Sequence, residues 1–202
     1  MVLERFRKIS EKYLETVSRP FFILGPMGNS ILGFIIAILA FLLFYHNFIL
    51  LPAVLVLFNG LLDMIDGYIA RKTGKSSKLG DLIDHTLDRL SDVFIMIGLT
   101  QSIYVADHLG YIATITMLLV SYMGTQAQAL GVGRVYAGLL GRADRIVLIF
   151  IGCIAQKLFT GKIYGITILD ILMLYFIVAG AITIIQRFRI AYKDLKGRKS
   201  EE

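Results

Sequence analysis

The chain has 202 residues, 56% of them hydrophobic, and a mean hydropathy of +0.72. Its apolar residues gather in runs longer than a soluble core needs, which excludes an ordinary water-soluble domain. The net charge of +6 follows from Lys and Arg in the connections and implies no nucleic acid, and the single cysteine, Cys153, excludes a disulfide framework within the chain.

Residues 1–20 carry Arg5, Arg7, Lys8, Lys12 and Arg19 against Glu4, Glu11 and Glu15. The acidic residues, and the lack of a short apolar core followed by small residues, argue against a cleaved leader. Leu3, Phe6, Tyr13, Leu14 and Val17 recur near helical spacing. The expectation is an amphipathic helix on the membrane surface, its basic face toward anionic headgroups.

Six stretches then approach the roughly 20 apolar residues that a spanning helix needs: 30–45, 48–70, 79–105, 110–130, 143–157 and 163–186. The expected fold is therefore an all-α integral membrane protein. It has one domain over 1–202, with six transmembrane helices after the surface helix and a basic tail at 187–202. Arg71, Lys72, Lys75 and Lys78 fall in the second connection and Arg134 and Arg142 in the fourth, while six Lys and Arg follow the last stretch. The first and third connections hold none, and the fifth only Lys157 and Lys162. By the positive-inside bias both ends face the cytoplasm.

Asp63, Asp66, Asp81, Asp84, Asp88 and Asp92 lie within thirty residues, in or beside two apolar stretches. An unpaired carboxylate there costs several kcal/mol, so the concentration requires compensation. Asp63 and Asp66 are three apart, and Asp84 and Asp88 four apart, so each pair shares a helix face. Four such carboxylates on rigid helices suit hard cations such as Mg²⁺, Mn²⁺ or Ca²⁺. A pair of ions could clamp both the attacking and the leaving oxygen of a phosphoryl transfer. Gly67 and Gly80 would let a backbone or a planar nucleotide approach closely, and Arg71 could grip a phosphate with two prongs where Lys could not.

Asp63, Asp66-Gly67, Ala70-Arg71, Gly80, Asp84 and Asp88 resemble, at all eight fixed positions over twenty-six residues, the signature of the CDP-alcohol phosphotransferases. The resemblance extends to length and to the position of the signature between spans two and three. It implies that Asp63, Asp66 and Asp84 are metal ligands for Mg²⁺ or Mn²⁺, as two ions, and that Asp88 completes the metal site and acts as general base. It further implies that Asp66, Gly67, Ala70, Arg71 and Gly80 hold the CDP portion, that CMP is released, that the enzyme sits in the cell membrane as a multi-pass protein with its site facing the cytoplasm, and that it is a homodimer. Asp81 is a candidate extra ligand, and Asp92, outside the pattern, is expected to bond one helix to another. Gly28-Asn29-Ser30 resembles the Pro-Asn start of the family's first span. Asn29 or Ser30 is expected to cap that helix, with Asn29 beside the nucleotide.

Arg134, Arg142 and Arg145, the last two approached through Gly138 and Gly141, could hold a phosphorylated polyol. The stretches 84–89 and 141–145 resemble the branch of the family that makes inositol-phosphate lipids. That branch implies a CDP-linked lipid donor, CDP-diacylglycerol or CDP-archaeol, and inositol 1-phosphate as acceptor, with glycerol 3-phosphate as the alternative. At 124–128 this chain has Gly-Thr-Gln-Ala-Gln where members of the branch are Arg-rich. A divalent-cation transporter is the competing class, because intramembrane carboxylates also mark ion paths. The one-sided acidic cluster and the lack of an inverted repeat weigh against it.

Overall fold

The structure, a computed structural model, describes residues 15–74, 77–133, 135, 137–161 and 165–198. Among these, a short 3-10 helix, Arg19–Ile23, precedes six α-helices: α1 Gly25–Tyr45, α2 Leu50–Thr73, α3 Lys78–Thr100, α4 Asp107–Ala129, α5 Arg142–Leu158 and α6 Ile168–Arg198. Most of the expected surface helix at 1–20 lies outside the described residues. What is described of it is helical at 15–18, and Glu15 pairs with Lys72 of α2 at 2.6 Å. That ammonium holds the Glu15 carboxyl below its usual range.

Each apolar stretch becomes one helix, with boundaries set by local chemistry. Helix α1 starts five residues earlier than expected because Pro26 occupies the first turn, where its missing N–H costs nothing. Neither Asn29 nor Ser30 is therefore the cap, and both side chains are free for other partners. Helix α2 stops at Gly74, whose φ of 64° is the left-handed conformation that closes a helix. Ser77 starts α3, its Oγ accepting from Gly80 N at 3.0 Å. Thr167 and Asp170 cap α6 reciprocally: Thr167 N donates to Asp170 Oδ2 at 3.0 Å and Asp170 N to Thr167 Oγ1 at 2.9 Å. Helix α6 then continues to Arg198 and absorbs most of the expected basic tail, since nothing between Gln186 and Arg198 breaks a helix before Gly197.

Helix α1 packs on α2 and α3, α2 on α5, α3 on α4, and α6 on α4 and α5. Phe44, Val56, Leu99, Met117 and Phe176 fill the shared core. At the α1–α3 crossing Gly98 permits near-contact of backbones, since a Cβ there would stand 2.6 Å from Phe41 Cα. Large apolar side chains such as Ile31, Ile35 and Leu39 of α1 and Leu174, Val178 and Ile182 of α6 remain exposed, which suits contact with lipid. By length and composition, α1, α2 and α6 are able to cross a membrane. Charged residues thin the apolar content of α3, which carries Asp81, Asp84, Asp88, Arg89 and Asp92.

The first, third and fifth connections meet at one end of the bundle. Ile103 N donates to Asn47 Oδ1 at 2.8 Å, Ala106 N to Asp170 Oδ1 at 2.7 Å, and Thr167 Oγ1 to Tyr104 O at 2.7 Å. Elsewhere, α6 grips the segment leading into α5. Thr183 Oγ1 accepts from Leu139 N at 3.0 Å and Leu140 N at 3.3 Å, and Arg187 Nε donates to Ala137 O at 2.9 Å.

Candidate active site

Asp63 and Asp66 stand on the last turns of α2, Asp84 and Asp88 on the first turns of α3, and α1 leans against both helices. That third helix supplies Ser30, whose Oγ lies 3.1 Å from Asp66 Oδ2 and 3.1 Å from Asp84 Oδ1. A hydroxyl has one proton, so Ser30 serves one carboxylate at a time and leaves the pair short of positive charge. Ligand oxygens of Asp63, Asp66 and Asp84 lie within 4.8 Å of one another, as do ligand atoms of Asp84, His85 and Asp88. Asp66 is 4% exposed. Like charges this close, partly removed from water, need a cation to offset their repulsion. Because every donor from the aspartates is a hard carboxylate oxygen, the residues fit Mg²⁺ or Mn²⁺.

A row of ion pairs continues from these carboxylates into the helix bundle. Nη1 of Arg142, the first residue of α5, lies 2.7 Å from Asp63 Oδ1 and 2.6 Å from Asp88 Oδ2, and its Nε lies 3.3 Å from Asp92 Oδ1. Arg145 Nη2 donates to Asp92 Oδ2 at 2.8 Å, and Arg89 Nη1 lies 3.3 Å from the same oxygen. Asp92 thus joins α3 to α5 as a helix-to-helix bond, as its position outside the signature suggests. Arg145 is only 3% exposed and committed to that carboxylate. Arg145 thus has the partner that a buried guanidinium requires, in an internal ion pair beside the carboxylates.

The remaining expected residues fall as follows. Arg71 is exposed, and its Nη1 lies over Gly67, where an added Cβ would be 3.3 Å away. Ala70 is half-buried on the same helix. Gly80 sits in the first turn of α3, where an added Cβ would crowd the capping Ser77 Oγ at 3.2 Å. Asn29 is fully buried, its Nδ2 donating to Phe21 O at 3.2 Å while Oδ1 has no hydrogen-bond partner among the described residues. Asp81 is exposed and belongs to neither carboxylate group. Arg134 lies outside the described residues. Two participants stand outside the expected site residues. Ser30 reads as a cap until the true helix start is known, and His85, 3.8 Å from Asp84 Oδ2 through its Nδ1, joins a ligand group only once α3 is built.

The family model for CDP-alcohol phosphatidyltransferase matches residues 27–192, and the chain belongs to that family. It is an enzyme of this class, a membrane transferase, and the transporter reading falls away. Over 197 residues, 96% of this chain and 99% of the relative, it is 33% identical to the archaetidylinositol phosphate synthase of Pyrococcus horikoshii. The synthase of the same description from Methanothermobacter thermautotrophicus is 28% identical over 195 residues, 96% of each chain. A crystal structure of Mycobacterium tuberculosis phosphatidylinositol phosphate synthase in complex with manganese and citrate superposes with a TM-score of 0.76 at 26% identity, covering 89% of this chain and 88% of that one. The same enzyme with CDP-DAG bound gives 0.76 at 26%, over 90% and 94%.

Proposed function

We propose that this enzyme transfers the phosphatidyl-type group of a CDP-linked lipid, CDP-archaeol or CDP-diacylglycerol, to a hydroxyl of inositol 1-phosphate and releases CMP. The observation that carries the reading is the convergence of the signature carboxylates of α2 and α3 around Ser30 and Arg142. The full-length similarity to two archaetidylinositol phosphate synthases supports the acceptor.

In this reading Asp63, Asp66 and Asp84 hold Mg²⁺ or Mn²⁺, and Asp88 completes the set. A bound divalent ion supplies charge neutralisation at the diphosphate and lowers the pKa of a nearby hydroxyl. Asp88 takes the proton of the acceptor hydroxyl, and its oxygen attacks the phosphorus distal to cytidine while the bond to CMP breaks. Before the donor binds, the pairing with Arg142 fixes the orientation of Asp88. Gly67, Ala70, Arg71, Gly80 and Asn29 line the nucleotide's place, Gly67 and Gly80 by keeping side chains out of it. Arg142 and Arg134 receive the acceptor's phosphate, and Arg145 acts through Asp92 rather than by contact.

The six α-helices are read as six spans of a single membrane domain over 1–202. Both ends and the carboxylates face the cytoplasm, the segment at 1–20 lies on the membrane surface, and the protein pairs as a homodimer. The Lys and Arg distribution supports the orientation.

The deciding experiment measures CMP release from CDP-archaeol by the purified protein, with inositol 1-phosphate, glycerol 3-phosphate, serine and free inositol in competition. Inositol 1-phosphate is expected to dominate. Preference for free inositol or serine would remove the phosphate-binding role of the arginines, and preference for glycerol 3-phosphate would keep that role but change the acceptor.

A further inference from the structure

The carboxylates and arginines of this site are paired in a way that a simple metal cup does not require. One guanidinium nitrogen, Nη1 of Arg142, contacts a carboxylate from each side of the cup: Asp63 of α2 at 2.7 Å and Asp88 of α3 at 2.6 Å. A guanidinium nitrogen lying between these two oxygens stands where a cation would bridge them, and its charge repels an ion placed beside it. The trio with mutually close ligand atoms, Asp63, Asp66 and Asp84, leaves Asp88 out. One ion can therefore be held by that trio without drawing on Asp88.

We propose that in the free enzyme Arg142 fills the place of a second divalent cation between Asp63 and Asp88, so that the protein holds one such ion until the donor's diphosphate draws the guanidinium away. This rests on the metal-site reading above and adds an order of binding to it.

Charge balance points the same way. The connected aspartates 63, 66, 84, 88 and 92 face the guanidiniums of Arg89, Arg142 and Arg145. Five negative groups against three positive ones leave an excess that a single divalent ion neutralises. A second ion would reverse the sign, and an unmatched charge in this half-buried cluster is unfavourable. A dianionic diphosphate restores neutrality, so the second ion and the donor belong together.

Arg142 is also built to move. It is the first residue of α5, directly after Gly141. Among the described residues its Nη2 is buried with no hydrogen-bond partner, a donor whose unmet bond a phosphate oxygen would satisfy. The longer 3.3 Å contact of Nε with Asp92 keeps the side chain tethered beside the cup when Nη1 lets go.

The test is a Mn²⁺ titration of the purified full-length protein, read by the electron paramagnetic resonance of free Mn²⁺, without acceptor. It is run with and without CDP-diacylglycerol, and micelles of the donor alone serve as the blank. Wild type is expected to bind one Mn²⁺ tightly without donor and two with it. Arg142→Gln is expected to bind the second Mn²⁺ without donor, at least tenfold more tightly than wild type does. Two equivalent ions in donor-free wild type, or one ion only in donor-free Arg142→Gln, would overturn the proposal. Should the variant fail to fold, the wild-type titration decides alone. No Mn²⁺ bound to wild type under any condition would instead bring down the metal-site reading on which the proposal stands.

Discussion

Arg145 donates to Asp92 at 2.8 Å, closing an ion pair between α5 and α3 one helical turn beyond Asp88, with the arginine 3% exposed. Removing the carboxylate leaves a cation in a place it cannot solvate. Asp92→Ala is expected to cost about 3–5 kcal/mol, read as a lowered midpoint in a thermal melt in detergent. Replacing both partners by leucine should cost less than the single change, because no charge is then stranded at that position. An unchanged melt in Asp92→Ala would mean that Arg145 finds another partner.

Asp88 tests the assignment of the base. Asp88→Asn keeps the size and loses the proton acceptor, so turnover should fall about 10²–10⁴-fold, while binding of CDP, followed by calorimetry, stays within a few-fold of wild type. CMP release at the normal rate would remove Asp88 from that role.

Ser30 gives a finer measure of the cup. Ser30→Ala deletes a hydroxyl shared by Asp66 and Asp84, each at 3.1 Å. A hydrogen bond to a charged group is worth about 1.5–3 kcal/mol. Metal affinity should therefore change by about tenfold or more, without loss of the folded helix content seen by circular dichroism. If Mn²⁺ binds Ser30→Ala as it binds wild type, the hydroxyl is a bystander.

The α1–α3 crossing is a packing prediction independent of chemistry. A Cβ at Gly98 would stand 2.6 Å from Phe41 Cα, a backbone atom that cannot swing aside. Gly98→Ala is expected to destabilise by about 1–3 kcal/mol, whereas Gly161→Ala, with no atom of the described residues within 4 Å of its added Cβ, should leave the melt in place.

What the sequence made legible was whatever depends on spacing along one helix. The Asp63–Asp66 and Asp84–Asp88 intervals announce shared faces, and Asp92 stands out as a carboxylate beyond the pattern. Hidden were the pairings across helices. Arg145 reaches Asp92 over 53 positions and Ser30 reaches Asp84 over 54, and no local period encodes either. The start of α1 was misjudged because apolar content marks where a helix enters an oily environment, whereas Pro26 and Gly25 decide where it begins to coil. The end of α6 was misjudged for the converse reason: Lys and Arg end an apolar run but are good helix formers.

The grip of Thr183 on the approach to α5 has a bearing on how this enzyme tolerates change. One oxygen accepts from two successive amides, Leu139 N and Leu140 N, while its own proton goes to Ala179 O at 2.7 Å. Valine there would have almost the same shape and would count as the mildest of exchanges on any substitution scale. It would nevertheless orphan two main-chain donors at once and unfasten the strand of chain that delivers Arg142 to Asp63 and Asp88. A change at this one atom, outside the signature, is therefore expected to loosen the hold on Arg142 while every residue of the signature stays intact.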